Sequence, residues 1–190
     1  EKIMIFGFGK NKKKLRLVDA SRIAIEDIIE GTGLEETDGF WENSYVCGFL
    51  YALSLEAIKF ENNDIWDEDC LEAWTDYWSI NYKYIWAMIK HFSSMEADEE
   101  IDKEVPNNQK IISEFNKGAK FGRTALLIRT GRHSSIIEGV QLAIDLTENL
   151  IEEGTAPIAP NKEQYNIMVG ISFTKLFLMD YRNKADNFKI

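Results

Sequence analysis

Cysteine, proline and histidine are scarce in this chain of 190 residues, which has 2 Cys, 3 Pro and 2 His. Two cysteines cannot build a framework of disulfide bridges, so we expect a reducing, cytoplasmic setting. Neither cysteine has the neighbours of a zinc site, and two histidines argue against a histidine-based metal site. We therefore expect no metal and no cofactor. The low proline content permits long, uninterrupted helices.

The standard catalytic and ligand-binding motifs are missing as well. The chain has no GxSxG, no HExxH and no GxGxxG. It also has neither the Glu-x-x-His spacing of di-iron bundles nor the central glycine of a calcium-binding EF-hand loop. The longest apolar run, residues 45–55, is shorter than the roughly 20 residues that a membrane-spanning helix needs. These absences favour a non-catalytic protein without a membrane span.

The remaining composition is that of an ordered domain. Hydrophobic residues make up 45% of the chain, charged residues 28% and aromatic residues 12%. This balance is typical of a globular protein with a large core. Apolar residues recur with helical spacing through most of the chain. The sequence predicts an all-α, single-domain bundle of about six helices over residues 15–190, preceded by a short N-terminal arm or strand over residues 1–14.

Two predicted helices carry the strongest signals for the core. Residues 41–60 are apolar almost all round, which is typical of a helix that other helices enclose. A later helix has a stripe of residues spaced three and four apart: Leu71, Trp74, Trp78, Asn81, Ile85, Met88 and Phe92. We expect Trp74, Trp78, Ile85 and Met88 to lie in the core.

The N-terminal segment joins a short apolar stretch, residues 3–8, to five basic residues between Lys10 and Arg16. Its glycines do not have the spacing of a phosphate-binding loop, and no hydroxyl residue follows the lysines. We expect a solvated arm that takes no part in folding. The alternative is a peripheral membrane protein, which this basic arm tethers weakly to an anionic membrane surface.

Charge is distributed unevenly along the chain, whose formal net charge is -10. Residues 35–104 contain 18 acidic and 4 basic side chains, whereas residues 105–133 contain 1 acidic and 6 basic side chains. Nucleic-acid binding requires a dominant basic surface. The distribution therefore argues against a nucleic acid as the main partner.

The most concentrated acidic segment, residues 61–78, combines seven acids with four aromatic residues. Acidic side chains around exposed aromatic rings suit the capture of a basic protein, because the charges steer the encounter and the rings supply contact energy. The candidate partner-binding residues are Glu61, Asp64, Trp66, Asp67, Glu68 and Asp69. This pattern suggests a non-catalytic bacterial inhibitor, immunity protein or adaptor. The simpler alternative is that this segment is the solvent-exposed, acidic start of a helix and only aids solubility.

A second candidate site consists of polar residues at positions where the pattern favours apolar ones. Glu56 is the only charged residue between Glu42 and Lys59. Arg129 and His133 lie four residues apart, towards the apolar side of a later predicted helix if that helix continues as far as His133. A buried carboxylate close to an arginine and a histidine is typical of a small-molecule or general-base site. A structural ion pair between helices is the plainer interpretation.

Overall fold

Helices make up all of the regular structure in the part of the chain that is described. The computed structural model describes residues 5–32, 43–81, 106–133 and 139–178, together with residues 40, 86 and 137. Its helices are α1 (Ile5–Thr32), α2 (Ser44–Glu61), α3 (Glu68–Asn81), α4 (Pro106–Arg129), α5 (Val140–Glu152) and α6 (Lys162–Leu178). The prediction of an all-α, single-domain bundle is confirmed.

Helix α2 is the enclosed helix that the sequence predicted. It packs mainly against α4 and also contacts α1 and α3, while α6 packs on α4 and α5. Most of its residues, from Ser44 to Ile58, are buried. The helix begins slightly later than predicted because Asn43 caps it. The Asn43 Oδ1 accepts hydrogen bonds from the backbone N–H groups of Tyr45 at 3.0 Å and Val46 at 3.2 Å.

Three glycines allow the backbones of α2 and α4 to touch. A Cβ atom on Gly48 of α2 would collide with the backbone carbonyl of Phe115 in α4. Cβ atoms on Gly118 and Gly122 of α4 would collide in the same way with backbone carbonyls of α2. Because no side chain separates the helices at these points, the glycines determine how closely the two central helices approach.

Ser54 of α2 binds two tryptophans of α3 in the core. Its hydroxyl oxygen accepts hydrogen bonds from the indole N–H groups of Trp74 and Trp78, both at 3.0 Å. The same hydroxyl donates to the backbone carbonyl of Tyr51 at 2.8 Å. Trp74 and Trp78 are both buried, which confirms their predicted place in the core.

The remainder of the predicted stripe on α3 is only partly described. Leu71 is half-exposed, so its prediction as a member of the core stripe is wrong. The buried side of α3 instead consists of Cys70, Ala73, Trp74, Tyr77 and Trp78. The two large indoles set the buried direction, and Leu71 lies to one side of it. Three members of the predicted stripe lie outside the described residues: Ile85, Met88 and Phe92.

The N-terminal segment differs from the expected arm or strand. Residues 5–14 are helical and continue without interruption into residues 15–32, so they form the first part of α1. Just beyond them Leu17 is fully buried, and the Ser21 hydroxyl donates to the backbone carbonyl of Ser54 at 3.3 Å. Lys13, Lys14 and Arg16 contact other helices, as described next, so these residues do not belong to the solvated arm that we expected.

Candidate functional site

The turn between α2 and α3 carries the acidic residues, and its polar side chains determine its shape. The Asn62 amide donates to the backbone carbonyl three residues later at 2.8 Å and to Asp67 Oδ2 at 3.2 Å. Asn63 and Asp64 have positive φ angles of 55° and 64°, a conformation that Asn and Asp adopt more readily than most residues. Asp67 Oδ1 then accepts the backbone N–H of Cys70 at 3.0 Å, which caps the start of α3.

We define the acidic surface by the six predicted partner-binding residues, Glu61, Asp64, Trp66, Asp67, Glu68 and Asp69. Helix α1 lies directly against it. Lys13 Nζ is 2.7 Å from Asp67 Oδ2 and 3.0 Å from Asp69 Oδ2. Arg16 Nε is 2.7 Å from Glu61 Oε1. Three of the predicted acids are therefore paired with basic residues of the same chain.

The contact between α1 and α3 continues beyond the acidic surface. Lys14 Nζ lies 3.5 Å from Glu72 Oε2 and 2.6 Å from Asp76 Oδ2, which are about one and two turns beyond Asp69 in α3. Lys13 and Lys14, which we expected in a free arm, thus lie along the acidic side of α3. A sequence signal for this arrangement exists, since the first 16 residues and the acidic segment have opposite net charges.

Asp64 is paired from a different direction. Arg132, which follows α4, places Nη1 2.6 Å from Asp64 Oδ1. The same guanidinium lies 4.5 Å from the centre of the Phe60 ring, within the range of a cation–π contact. Both charged side chains remain largely exposed, at 43% for Arg132 and 61% for Asp64. This pair therefore joins the end of α4 to the turn without being buried.

The other two members of the acidic surface face solvent. Glu68 is exposed and has no ion pair among the described contacts. Trp66 is 37% exposed, in agreement with its predicted place in the turn. Two further apolar side chains lie exposed beside it, Ile65 at 59% and Leu71 at 50%. The surface therefore combines acidic groups with accessible apolar area.

Ion pairing changes the acidity of the groups in this contact. The hydrogen bond from Lys13 holds the pKa of Asp67 well below its usual range, and the capping hydrogen bond from the Cys70 backbone acts in the same direction. The two aspartates in turn raise the pKa of Lys13, Asp67 most strongly. Both groups are therefore charged at neutral pH, as a stable ion pair requires.

The second candidate site is dispersed in the structure. Glu56 Oε1 accepts a hydrogen bond from Nε of Arg123 at 3.0 Å, whereas Arg129 Nη2 lies 2.8 Å from Asp27 Oδ2. The Nδ1 atom of His133 is buried without a hydrogen-bond partner among the described residues. No contact among the described residues joins Glu56, Arg129 and His133 to one another. Glu56 and Arg129 instead form separate ion pairs between helices.

Arg129 does line the cleft that opens between α1, α2, α4 and α6. The cleft has a volume of about 700 Å³. Its walls are largely apolar and include Ala20, Ala24, Ala57, Phe60, Leu126 and Ile167. Arg129, Asn166 and Thr130 supply polar groups to the lining, and Lys162 and Glu163 line it from the first turn of α6. The sequence does not predict this cleft, because alanines on different helices give no signal that they face a common space.

The described residues were compared with the requirements of a metal site and of a membrane-spanning helix. No group of three or more His, Cys, Asp or Glu side chains within the described ranges is arranged to hold a metal ion. Among the helices described, none combines the length and apolar character needed to cross a bilayer.

Comparisons with protein-family models, curated proteins and solved structures found no match to this chain. Functional inference therefore depends on the geometry of the acidic surface and the cleft.

Proposed function

We propose that this chain is a non-catalytic binding protein that captures a basic partner through the acidic surface. The observation that supports this proposal is the position of α1. Lys13 and Arg16, one helical turn apart, reach Asp67 and Glu61 at 2.7 Å each. The spacing of the acids therefore accommodates basic side chains that a helix presents three residues apart. A basic helix of another protein can use the same arrangement.

Exposed apolar side chains give such a partner a source of contact energy. Ile65, Trp66 and Leu71 lie beside the acids and are 59%, 37% and 50% exposed. Tryptophan is enriched among the residues that dominate binding energies in protein interfaces. The acids would accelerate the encounter with a basic protein, and the apolar side chains would slow its dissociation.

The basic side chains of a partner would replace those of α1 in the ion pairs with these acids. The pairs made by Lys13 and Arg16 are partly exposed to solvent, with 30% and 58% of the lysine and arginine side chains accessible. Exposed ion pairs contribute little to stability, so replacing them with equivalent pairs to a partner costs little. Glu68, which has no ion pair among the described contacts, offers a first point of attachment.

In its most concrete form, the proposal is a bacterial inhibitor or immunity protein that neutralises a basic protein, or an adaptor that recruits one. The net charge of -10 supports a basic protein rather than a nucleic acid as the main partner. Cys47 and Cys70 are buried and are not joined in a disulfide, which supports a reducing compartment such as the cytoplasm.

The experiment uses a partner of known chemistry, a labelled peptide that copies residues 10–19. The full chain is compared with its variant Lys13→Gln/Lys14→Gln/Arg16→Gln, here named the neutralised variant. Fluorescence anisotropy at low salt should show that the neutralised variant binds the peptide at least about tenfold more tightly. In the wild type, the linked cations compete at an effective concentration in the millimolar range.

Two further variants show whether the acidic surface is the place of binding. In the neutralised background, Asp64→Asn/Glu68→Gln should weaken binding severalfold. The matched control, Glu152→Gln/Glu153→Gln, removes two acids at the exposed end of α5 and should leave binding unchanged. The proposal is wrong if the neutralised variant does not bind the peptide, or if both acidic pairs weaken binding equally. Circular dichroism of each variant confirms that it is folded.

A further inference from the structure

Most of the residues that line the cleft lie outside the acidic surface. Small side chains in the lining leave the volume of the cleft open. Ala20 and Ala24 of α1 and Ala57 of α2 line it on one side, where larger side chains would fill the volume. Leu126 of α4 and Ile167 of α6 complete the apolar lining. An open volume of about 700 Å³ with apolar walls suits the apolar body of a small ligand.

A fixed cation lies in this lining. Only 12% of the Arg129 side chain is exposed, although it carries a charge. Its Nη2 pairs with Asp27 at 2.8 Å, and its Nη1 donates to the backbone carbonyl of Ala24 at 3.4 Å. The alkyl part of the side chain crosses Gly170, where a Cβ atom would collide with it. Arg129 is therefore held in one orientation before any ligand binds.

The guanidinium retains the capacity to bind more. It has five N–H donors, and the described hydrogen bonds use two of them. Asn166, which is 8% exposed, also lines the cleft next to Gly131, and its amide adds hydrogen-bonding capacity. Of the two acids in the lining, Glu61 is already paired with Arg16 at 2.7 Å, and Glu163 is exposed to solvent. The buried polar part of the cleft is thus rich in donors, which favours a ligand with acceptor oxygens.

We propose that the cleft between α1, α2, α4 and α6 binds an amphipathic carboxylate, whose oxygens accept hydrogen bonds from Arg129 and whose apolar body lies against the alanine-lined wall. A charged guanidinium and a carboxylate form the strongest type of hydrogen bond available here. The apolar body contributes in proportion to the area that it removes from water. A chain of about ten carbon atoms is within the range of ligand sizes that pockets of this volume accept.

The experiment uses decanoate as the probe and decanol as a neutral control of equal length, in isothermal titration calorimetry with the full chain. Wild-type protein should bind decanoate saturably and at least about tenfold more tightly than decanol, since one strong charge-assisted contact contributes about a factor of ten. Arg129→Gln should remove most of this preference. Arg123→Gln is the matched control. It removes another arginine from an ion pair on α4, but one that does not line the cleft, and binding should remain as in the wild type.

A second variant keeps the test decisive if Arg129→Gln does not fold. Ala20→Phe places a phenyl ring in the cleft from a partly exposed position and should weaken the binding of both ligands severalfold. In heteronuclear NMR spectra of the wild type, decanoate should shift the amide signals of Thr130, Gly131 and Lys162. The proposal fails if decanoate does not bind saturably, if decanol binds equally well, or if Ala20→Phe binds decanoate like the wild type. Because these variants leave the acidic surface intact, failure here is separate from failure of the proposed protein capture.

Discussion

Lys13 of α1 reaches Asp67, 54 positions later in the chain, and the Nζ and Oδ2 atoms are 2.7 Å apart. The Asp67 carboxylate has three roles, of which this contact is one. The carboxylate caps α3, accepts the Asn62 amide, and binds a cation from the N-terminal helix. The acidic turn is therefore part of the fold as well as a candidate binding surface.

The first prediction concerns the pairs between α1 and α3. Lys13→Gln/Lys14→Gln should lower the melting temperature by about 2–4 °C at low salt, because partly exposed ion pairs contribute modestly. The difference should shrink in 0.5 M salt as screening weakens the wild-type pairs. Differential scanning calorimetry at both salt concentrations measures this.

Arg22→Gln is the control for this prediction. Arg22 pairs only locally within α1, with Asp19 and Glu26 among the described residues. Its replacement should change the melting temperature less than the double variant does. An equal effect would mean that the contact between α1 and α3 contributes nothing beyond local helix charge.

The second prediction concerns pH. The pKa of Asp67 in the folded protein lies below its usual value of about 3.9, so the folded state binds its proton less readily than the unfolded chain. The resulting stabilisation is present above about pH 4 and is lost as the pH falls through the lowered folded-state pKa. Asp67→Asn retains a capping oxygen but no charge.

Melting temperatures of wild type and Asp67→Asn should therefore differ most at pH 7 and converge between about pH 4 and pH 2. Glu68→Gln is the comparison, since Glu68 has no ion pair among the described contacts. Its melting temperature should follow the wild type over this range. A constant difference between wild type and Asp67→Asn at every pH would show that the charge of Asp67 does not stabilise the fold.

The third prediction concerns the close contact of α2 and α4. Gly118→Ala should cost about 3 kcal/mol or more, at the upper end for overpacking, because the new Cβ would meet the backbone carbonyl of Tyr45 and no rotamer can relieve this. Urea denaturation measures the loss. Gly154→Ala meets nothing within 4 Å and should cost only the strain of its positive φ, about 1–2 kcal/mol. If Gly118→Ala is the less destabilising of the two, the helices are not as close as described.

The fourth prediction concerns Ser54. Ser54→Ala leaves the indole N–H groups of Trp74 and Trp78 without their buried acceptor and should cost about 2–4 kcal/mol in urea denaturation. Ser79→Ala is the control on α3, since its hydroxyl makes a single partly buried hydrogen bond to the Asp76 carbonyl at 3.3 Å. A loss below about 0.5 kcal/mol for Ser54→Ala would mean that water readily replaces the hydroxyl.

Much of the fold was predictable from the sequence, because helical periodicity identifies a buried face from local information alone. The enclosed character of α2 and the burial of Trp74 and Trp78 follow from it. Periodicity does not say which helices are neighbours, so the pairing of Glu56 with Arg123 could not be foreseen. Leu71 was misplaced because a spacing of three and four fits more than one direction around α3.

The residues of the acidic surface can be selected from the sequence, but their surroundings cannot. The sequence shows the concentration of acids and predicts an exposed Trp66, but its prediction of an N-terminal arm over residues 1–14 does not anticipate that α1 begins at Ile5. The opposite charges of the two segments were visible in the sequence. Leu17, which follows Arg16 directly, is fully buried, and Lys13 and Arg16 lie beside the turn. The cleft had no sequence signal, because it consists of space between helices.

The most direct test of the central claim is the association rate of the residue 10–19 peptide with the neutralised variant, measured by stopped-flow anisotropy at increasing salt. If the acidic surface captures basic segments, the association rate should fall at least about tenfold between 20 and 200 mM salt, while Trp66→Ala should mainly raise the dissociation rate. An association rate that is independent of salt, or a dissociation rate that Trp66→Ala leaves unchanged, would contradict the account.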